Sequence, residues 1–394
     1  MNLADEKFWI SLLKNPDEPL FTREKAENFN RSVERNIFAE NIAEFLPDFE
    51  KILNQLTSLK TKTKKHNNFS EIKKLIDTAK KCNRFAITVN RTAMRSLPTD
   101  FFIFDGIDAE IDRVQETGLE IGEPLRVLLC SGEWVYAETV FYSGWVKVDS
   151  IAFGTKNEIE KFYRSKNFYV VTGNYVYTMP SPDENTSFKI FGMGSKLVSG
   201  KANEVNGELH TNQIVIKLPI NKRGKLAFAN AFLSYSADVS HGYLKPTRRN
   251  IVHEALKLLG ERYGWGDSFG ARDCSSTIRA IYKTVGINLP RNAGDQEKYS
   301  PGKRVNFAGR SEAEKLELLN EFQAGDLLFM KGHVMMYFGK VKGIHYIYHN
   351  FHKEFSKGKI ISVNSVFITP VNILFSKGKS AISEIRTGII IGQR

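Results

Sequence analysis

Cys274 is the residue whose type and position best suit covalent chemistry. It follows a glycine-rich, aromatic stretch, residues 263–273, and it stands at the start of a predicted amphipathic helix. The free N–H groups and the dipole of a helix N-terminus favour an anion, so we expect a lowered pKa for the thiol and donors for an oxyanion. Most free cysteines are only small buried hydrophobes, so Cys274 alone does not predict an enzyme.

Histidines downstream of Cys274 supply the missing base. Residues 332–350 predict two β-strands joined by a turn at residues 340–342. In that register His333 faces His349, and a similar pair follows at Tyr337 and His345. Facing Cβ atoms lie about 4.5–5.5 Å apart, which allows one imidazole to bond another. A slip of one residue would place the two histidines on opposite faces of the hairpin.

The order of these residues matches a thiol-dependent hydrolase. A cysteine comes first, then a histidine, then a polar group that orients the histidine, as in papain-like sites. We therefore predict Cys274 as the nucleophile, His333 as the base and His349 as the orienting group.

Six short motifs, in this order, extend the pattern beyond the cysteine and the histidines. They are Tyr263-Gly264-Trp265-Gly266, Asp273-Cys274-Ser275, Leu289-Pro290-Arg291, Gly325-Asp326-Leu327, Gly332-His333-Val334 and His349-Asn350. From about Pro246 onward the chain resembles the NlpC-type cell-wall cysteine peptidases, bacterial relatives of papain that cut murein peptides. One departure is Ser276, where many members of that family have glycine.

The resemblance implies roles for residues beside the nucleophile. Asp273 and Ser275 would contact the substrate, with Asp273 pairing with the free α-amino group of L-alanine. The position of Asp273 equally fits the N-cap of the Cys274 helix, and both roles are compatible. Tyr263, or a nearby amide, would join the N–H of Cys274 in binding the oxyanion.

The resemblance also implies a substrate. In multidomain relatives the first barrel closes the subsite beyond L-alanine, so these enzymes cut between γ-D-glutamate and the diamino acid of peptides with a free N-terminal L-alanine. On that barrel, Glu133 and Tyr142 are the candidates for a surface facing another domain, whereas Trp134 is expected in its core.

The predicted fold class is α+β, with several domains. Residues 1–107 would form a helical N-terminal domain and linker, with Thr22 as an N-cap and later helices at 37–45 and 49–59. Short strands with closely spaced turn residues then predict two small SH3-like β-barrels, residues 108–158 and 159–243. Residues 244–394 would form the papain-like α+β peptidase domain, whose first helix is capped by Thr247 and runs to Leu259.

Composition limits the partners. The net charge of +12 and the isoelectric point near 9.3 indicate an anionic partner. The basic residues are spread along the chain without a nucleic-acid-binding signature, so we expect the cell wall rather than nucleic acid. The three cysteines are too few for a disulfide framework, and Cys82 and Cys130 are interpreted as packing residues.

Several expectations concern location and assembly. No stretch approaches about 18 consecutive apolar residues, so no membrane span is expected. The first residues show no signal peptide, which leaves a cytoplasmic protein or a mature envelope protein as alternatives. We expect a monomer without a cofactor.

Three alternatives remain beside the peptidase. Cysteine and imidazole are preferred zinc ligands, and the candidate ligands are Cys274, His333, His345, His349 and His352. The close spacing typical of zinc sites is missing, so no metal is expected. The chain could also be a non-catalytic wall-binding protein, or a thiol acyltransferase on the same fold.

Overall fold

The described part of the N-terminal region, up to residue 77, contains four helices. A computed structural model describes residues 2–39, 46–60, 69–104, 110–356 and 358–392. The first helices are α1 (Glu6–Ser11), α2 (Arg23–Val33), α3 (Phe49–Lys60) and α4 (Phe69–Asp77). Thr22 caps α2 by accepting from the Lys25 N–H, as predicted. The helix predicted at 37–45 is not formed at residues 37–39, which lie in a turn, and residues 40–45 lie outside the described part.

A β-rich region follows. Its first strands are β1 (Lys80–Thr88), β2 (Thr92–Arg95), β3 (Gln115–Leu119), β4 (Pro124–Ser131), β5 (Trp134–Glu138), β6 (Ser143–Lys147) and β7 (Ile151–Gly154), and a helix, α5 (Lys156–Tyr163), comes next. β1 and β2 precede the predicted boundary at residue 107, yet β1 pairs with β4 and β7, and β2 pairs with β3 and β6. The boundary itself lies outside the described residues.

The second predicted barrel shares a sheet with the first. Its strands are β8 (Phe168–Val171), β9 (Tyr175–Tyr177), β10 (Ile190–Gly192), β11 (Lys196–Val198), β12 (Glu204–Val205), β13 (Glu208–Leu209), β14 (Ile214–Lys222), β15 (Lys225–Leu233) and β16 (Val239–His241). One nine-stranded sheet has the order β14-β15-β7-β1-β4-β5-β6-β2-β3. The long β14–β15 hairpin thus extends the sheet formed by β1–β7, which we call the first β-unit. Strands β8, β11 and β16 form a separate small sheet.

The prediction that Cys82 and Cys130 are packing residues is wrong. They form a disulfide, with their Cα atoms 5.8 Å apart. Cys82 lies on β1 and Cys130 on β4, and these neighbouring antiparallel strands bring the two sulfurs together. The cysteines are 48 residues apart in sequence, so their contact depends on the register of the sheet.

The C-terminal region contains a second large sheet. Its helices are α6 (Arg248–Leu256), α7 (Cys274–Thr284), α8 (Ala293–Tyr299), α9 (Glu312–Leu318) and α10 (Ala381–Glu384). Its strands are β17 (Lys303–Asn306), β18 (Leu327–Met330), β19 (His333–Val341), β20 (Ile344–Ser356), β21 (Lys359–Pro370), β22 (Leu374–Ser376), β23 (Lys379–Ser380) and β24 (Thr387–Ile390). Thr247 caps α6 as predicted, although this helix ends at Leu256 rather than Leu259.

The sheet of this region has the order β17-β24-β18-β19-β20-β21. Helix α7 buries Ile278, Ile281 and Tyr282 completely, and they share one core with Val334 and Met336 of β19. This packing fixes the start of α7 against the start of β19. None of the helices in the described part of the chain is long and apolar enough to span a membrane.

Helix α1 packs on the C-terminal sheet, although the two are far apart in sequence. The buried indole of Trp9 has edge-to-face contacts with Phe338 and Tyr346, at centroid distances of 4.9 and 5.8 Å. The N-terminal helices therefore belong to the same packed structure as the peptidase-like region. The α+β, multidomain fold class predicted from the sequence is confirmed.

Candidate active site

The β19–β20 hairpin does not have the predicted register. Its turn consists of Lys342 and Gly343, both with positive φ, instead of residues 340–342. Val341 pairs with Ile344, which moves the pairing by three residues, and an irregularity between Tyr337 and Gly339 moves it back by one. Because of these two changes, His333 and His349 are not directly opposite each other.

The two imidazoles nevertheless lie side by side, as predicted. His333 Nε2 is 3.3 Å from His349 Nδ1, and the hydroxyl of Tyr337 is 2.9 Å from His345 Nδ1. The total offset is two residues, and side chains on a strand alternate with a period of two, so each pair keeps a common face. The predicted face was therefore right although the register was wrong.

The thiol of Cys274 lies against the strand that carries His333. Cys274 is the first residue of α7, and the backbone N–H groups of Val334 and Ser275 lie close enough to its sulfur to lower the pKa of the thiol. Val334 directly follows His333, so the start of the helix lies against the start of β19. This packing brings the predicted nucleophile and the strand of the predicted base together from segments about sixty residues apart.

The prediction of a lowered thiol pKa is wrong. Burial raises the pKa of Cys274 to about 12, and the negative charge of Asp273 contributes in the same direction. The two backbone N–H donors lower the pKa but do not compensate. The helix N-terminus is therefore outweighed by desolvation, and the thiol is protonated at neutral pH.

The imidazoles are uncharged as well. Burial lowers the pKa of His333 to about 3 and that of His349 well below its ordinary value. Three phenylalanine rings surround His349, with centroids 5.5, 4.5 and 6.0 Å from its ring; they belong to Phe351, Phe367 and Phe375. A neutral imidazole beside a neutral thiol can accept the proton of sulfur when sulfur attacks a carbonyl.

Asp273 caps the nucleophile helix. Its Oδ1 accepts from the Ser276 N–H at 2.9 Å, and Ser276 Oγ accepts from the Asp273 N–H at 2.9 Å, which together form a capping box. Ser275 Oγ also donates to Asp273 Oδ1, at 3.0 Å. The N-cap role considered from the sequence is thus present in the structure.

Asp273 also forms an ion pair that the sequence did not predict. Arg291 donates to both carboxylate oxygens of Asp273, at 2.8 and 3.2 Å. Burial alone would raise the pKa of Asp273, but Arg291 and the hydrogen bonds from the serines outweigh it and hold the pKa below its usual value. Asp273 is therefore a charged carboxylate beside the nucleophile.

The other predicted site residues divide into two groups. Burial raises the pKa of the Tyr263 phenol, and the nearby side chains of Cys274 and Asp273 raise it further. Tyr142 donates to the carboxylate of Glu116, which lies near Arg291. Glu133, in contrast, lies in the exposed β4–β5 turn beside Lys147 and is not brought to Cys274.

Sequence reasoning missed four residues of the site. Arg291 was part of a quoted motif but had no role assigned, and Glu116, Thr117 and Asp267 were not singled out. Charged residues are common on both sides of Asp267 and Glu116 in the sequence, so their charge gave no local signal. Their convergence depends on how β3 docks against the stretch 263–273.

The histidines proposed as zinc ligands do not converge. His345 bonds to Tyr337, and His352 Nδ1 bonds to Asn364 Oδ1, whereas His333 and His349 bond to each other. A structural zinc site needs four donors at one point. Only His333 and His349 contact each other, whereas His345 and His352 bond to other residues. The geometry therefore favours acid–base use of His333 and His349.

Comparison with known families matches two parts of the chain. Residues 260–366 match the NlpC/P60 family, and residues 102–147 match the SH3 domain of the SH3b1 type. The first range contains Cys274, His333 and His349, and the second contains Glu116, Thr117 and Tyr142. The two sides of the site therefore come from two different modules.

Named relatives cover parts of the chain. The gamma-D-glutamyl-L-lysine dipeptidyl-peptidase of Bacillus subtilis is 35% identical over 127 residues, which are 30% of this chain and 38% of that protein. Dipeptidyl-peptidase 6 of Lysinibacillus sphaericus is 22% identical over 229 residues, or 57% of this chain and 77% of that protein. The chain thus matches well under half the length of the first of these relatives.

Solved structures show the same fold. An NlpC/P60 endopeptidase from Photobacterium damselae subsp. piscicida superposes with a TM-score of 0.77 at 17% identity, over 97% of this chain and 96% of that one. An NlpC/P60 family protein from Bacillus cereus ATCC 10987 gives a TM-score of 0.55 at 18% identity, over 78% of this chain and all of that one. The arrangement of helices, β-region and C-terminal domain is therefore a known one.

Proposed function

Given that residues 260–366 are an NlpC/P60 domain, we propose that this protein is a cysteine peptidase that hydrolyses the bond between γ-D-glutamate and the diamino acid of murein peptides. The observation that carries the proposal is the contact of Cys274, at the start of α7, with the strand bearing the hydrogen-bonded pair His333 and His349. The names of the two relatives support the substrate class.

The mechanism starts from neutral groups. Sγ of Cys274 attacks the carbonyl carbon of the γ-glutamyl bond while its proton passes to His333. The tetrahedral intermediate collapses, its C–N bond breaks, and the leaving amine takes the proton from His333. A water molecule then gives a proton to His333 and attacks the thioester, which releases the glutamyl carboxylate and returns the proton to sulfur.

Two further groups support these steps. His349 Nδ1 contacts His333 Nε2 and so holds the base in one orientation, and we assign proton transfer from the thiol to the other nitrogen of His333. The backbone N–H of Cys274 and the phenol of Tyr263 are the donors that we assign to the oxyanion. Both assignments follow from position beside the sulfur.

The amino end of the substrate is the second part of the proposal. An enzyme that releases a dipeptide must anchor the free amino group at a fixed distance from the cleaved bond. Asp273 is a charged carboxylate next to the nucleophile, and Glu116 with Tyr142 lies nearby on the SH3b1 side. We therefore propose that peptides with a free N-terminal L-alanine are preferred.

The site of action follows from the disulfide and the charge. A structural disulfide between Cys82 and Cys130 is typical of proteins from oxidising compartments. The net charge of +12 suits an anionic wall. Both features support the cell envelope among the locations left open by the sequence.

The deciding experiment is hydrolysis of L-Ala-γ-D-Glu-L-Lys and of its meso-diaminopimelate counterpart by the purified protein. We expect release of L-Ala-γ-D-Glu, identified by mass spectrometry, and no release by Cys274→Ala. Absence of cleavage of either peptide would favour a wall-binding protein. Acyl transfer to an added amine, with no hydrolysis, would favour the acyltransferase.

A further inference from the structure

Arg291 is buried where the SH3b1 module meets the nucleophile helix. It lies between α7 and α8, and only 3% of its surface is exposed. Its Nε donates to Thr117 Oγ1 of β3 at 2.6 Å, and its terminal nitrogens donate to Asp273 and to Ser275 Oγ. One guanidinium therefore joins a strand of the first β-unit to the cap of the nucleophile helix.

Asp267 completes this connection. Its Oδ2 accepts from Arg291 at 3.1 Å, and from Thr117 Oγ1 and the Gly118 N–H at 3.0 Å each. Asp267 holds this position in the left-handed region of the backbone, at φ 64°, where a non-glycine residue is uncommon. Next to it, Gln115 Nε2 donates to the Gly266 carbonyl at 2.8 Å, so the loop is fixed to β3 at several points.

The charges around Arg291 do not balance. Asp267 and Asp273 bond to the same guanidinium. Glu116 also lies near Arg291, but burial raises its pKa, so it is not counted as a third charge. Two carboxylates thus share one cation, which leaves a surplus of negative charge at this contact. A buried carboxylate without a cation tends to take up a proton, and it then no longer attracts an ammonium group.

The contact of Arg291 with Asp273 depends on the shape of the guanidinium as well as on its charge. A guanidinium presents a rigid planar fork that grips both oxygens of a carboxylate, whereas an ammonium acts as a single point charge. Arg291 uses two nitrogens on Asp273 and its Nε on Thr117. Besides the donors of its own helix, the Asp273 carboxylate is therefore linked through Arg291 to β3.

We propose that Arg291 is a positioning residue that makes recognition of the substrate's free amino group depend on the docked SH3b1 module. It does so by holding Asp273 and Asp267 in place from Thr117. This inference rests on the proposed function, because it assumes a substrate with an ammonium group at Asp273. Arg291 itself is not assigned a contact with the reacting atoms.

The test compares two peptides, L-Ala-γ-D-Glu-L-Lys and its N-acetyl form, in Arg291→Gln, Arg291→Lys and the unmodified enzyme. In Arg291→Gln we expect the preference for the free amine, as a ratio of kcat/KM values, to fall by about ten- to a hundredfold. The loss should lie mainly in KM of the free peptide. Arg291→Lys should restore part of the ratio, because it returns the charge without the fork.

The matched control is Arg386→Gln, which removes an exposed arginine paired with Glu297 in the same domain. It should leave both peptides unaffected. If Arg291→Gln lowers kcat on the two peptides equally, Arg291 serves only to support the helix cap, and the inference is overturned. If the unmodified enzyme cleaves neither peptide, the proposed function fails instead.

Loss of folding in Arg291→Gln would not end the test. Replacing Asp267 by Asn at the same time removes one charge of each sign, so the double variant keeps the net charge of the cluster. Circular dichroism shows whether it folds. A folded double variant that keeps the full preference for the free amine would overturn the inference as well.

Discussion

The two sides of the catalytic site use burial in opposite ways. On the helix side, the carboxylate of Asp273 is buried together with Arg291 and several hydrogen-bond donors, so it stays charged. On the strand side, His333 and His349 are buried among phenylalanine rings, with no counter-charge from the part of the chain that the structure describes, so they stay neutral. Among the described residues, Nε2 of His349 is even buried without a hydrogen-bond partner.

The difference corresponds to two tasks. A group that anchors an ammonium must remain ionised, and in a buried site this requires a cation and donors around it. A group that accepts a proton from a thiol must start out unprotonated, which an apolar environment ensures down to low pH. In the proposed mechanism, the same low exposure thus yields a binding group on one side and a base on the other.

The largest effect is expected from replacing Cys274, which lies between the two sides. Cys274→Ala should lower kcat/KM on the free peptide by about a thousandfold or more, because the covalent route is lost. The control is the Cys82→Ala, Cys130→Ala double variant, which should keep its activity per folded molecule. Substantial turnover by Cys274→Ala would show that sulfur is not the nucleophile.

A smaller effect is expected from the orienting histidine. His349→Ala removes the contact with His333 Nε2, and we expect kcat to fall by about ten- to a hundredfold. His345→Ala provides the comparison, since His345 lies on the same strand but bonds to Tyr337. Equal losses in the two variants would mean that the effect comes from the strand and not from the His333 contact.

The dry environment of the histidines can be tested separately. Phe375→Ser admits water beside His333 and His349, and this should raise the imidazole pKa from about 3 toward its ordinary value. A protonated imidazole cannot act as the base, so activity at about pH 5 should drop about two- to tenfold more than activity at about pH 8.

The measurement is the pH profile of kcat/KM on the free peptide. Tyr235→Ser, at a residue 80% exposed, is the matched aromatic control and should leave the profile unchanged. An acid limb of Phe375→Ser that coincides with that of the unmodified enzyme would contradict desolvation as the cause of the low pKa.

The sequence was informative where a pattern is local. Cys274 at a helix start, Thr22 and Thr247 as caps, and the common face of His333 and His349 all follow from short-range periodicity and capping rules. Even the wrong hairpin register kept the correct face, because the turn and the irregularity at Phe338 together shift the pairing by two residues.

Features set by tertiary packing could not be predicted in this way. The disulfide needs β1 beside β4, and the role of Arg291 needs β3 docked on the nucleophile helix. The thiol pKa was mispredicted for the same reason: a helix N-terminus can be located from sequence, but the degree of burial that outweighs it cannot.

The last prediction concerns stability and is the smallest in effect near neutral pH. Because the pKa of His333 is about 3 when folded, the unfolded chain binds more protons than the folded one between about pH 6.5 and pH 3. Stability should therefore decrease as the pH falls through this window. Asp273 also has a lowered pKa, but for a carboxyl the loss begins only below about pH 4.

On acidification the histidine side should thus lose stability before the carboxylate side does. His333→Gln should reduce the loss in free energy of unfolding between about pH 6.5 and pH 5 by about 1–2 kcal/mol, measured by urea titration. His210→Gln, at an exposed position, is the control and should follow the unmodified protein. Parallel stability curves for His333→Gln and the unmodified protein would mean that His333 does not titrate below its unfolded value, and the contrast between the two sides would then lose its electrostatic basis.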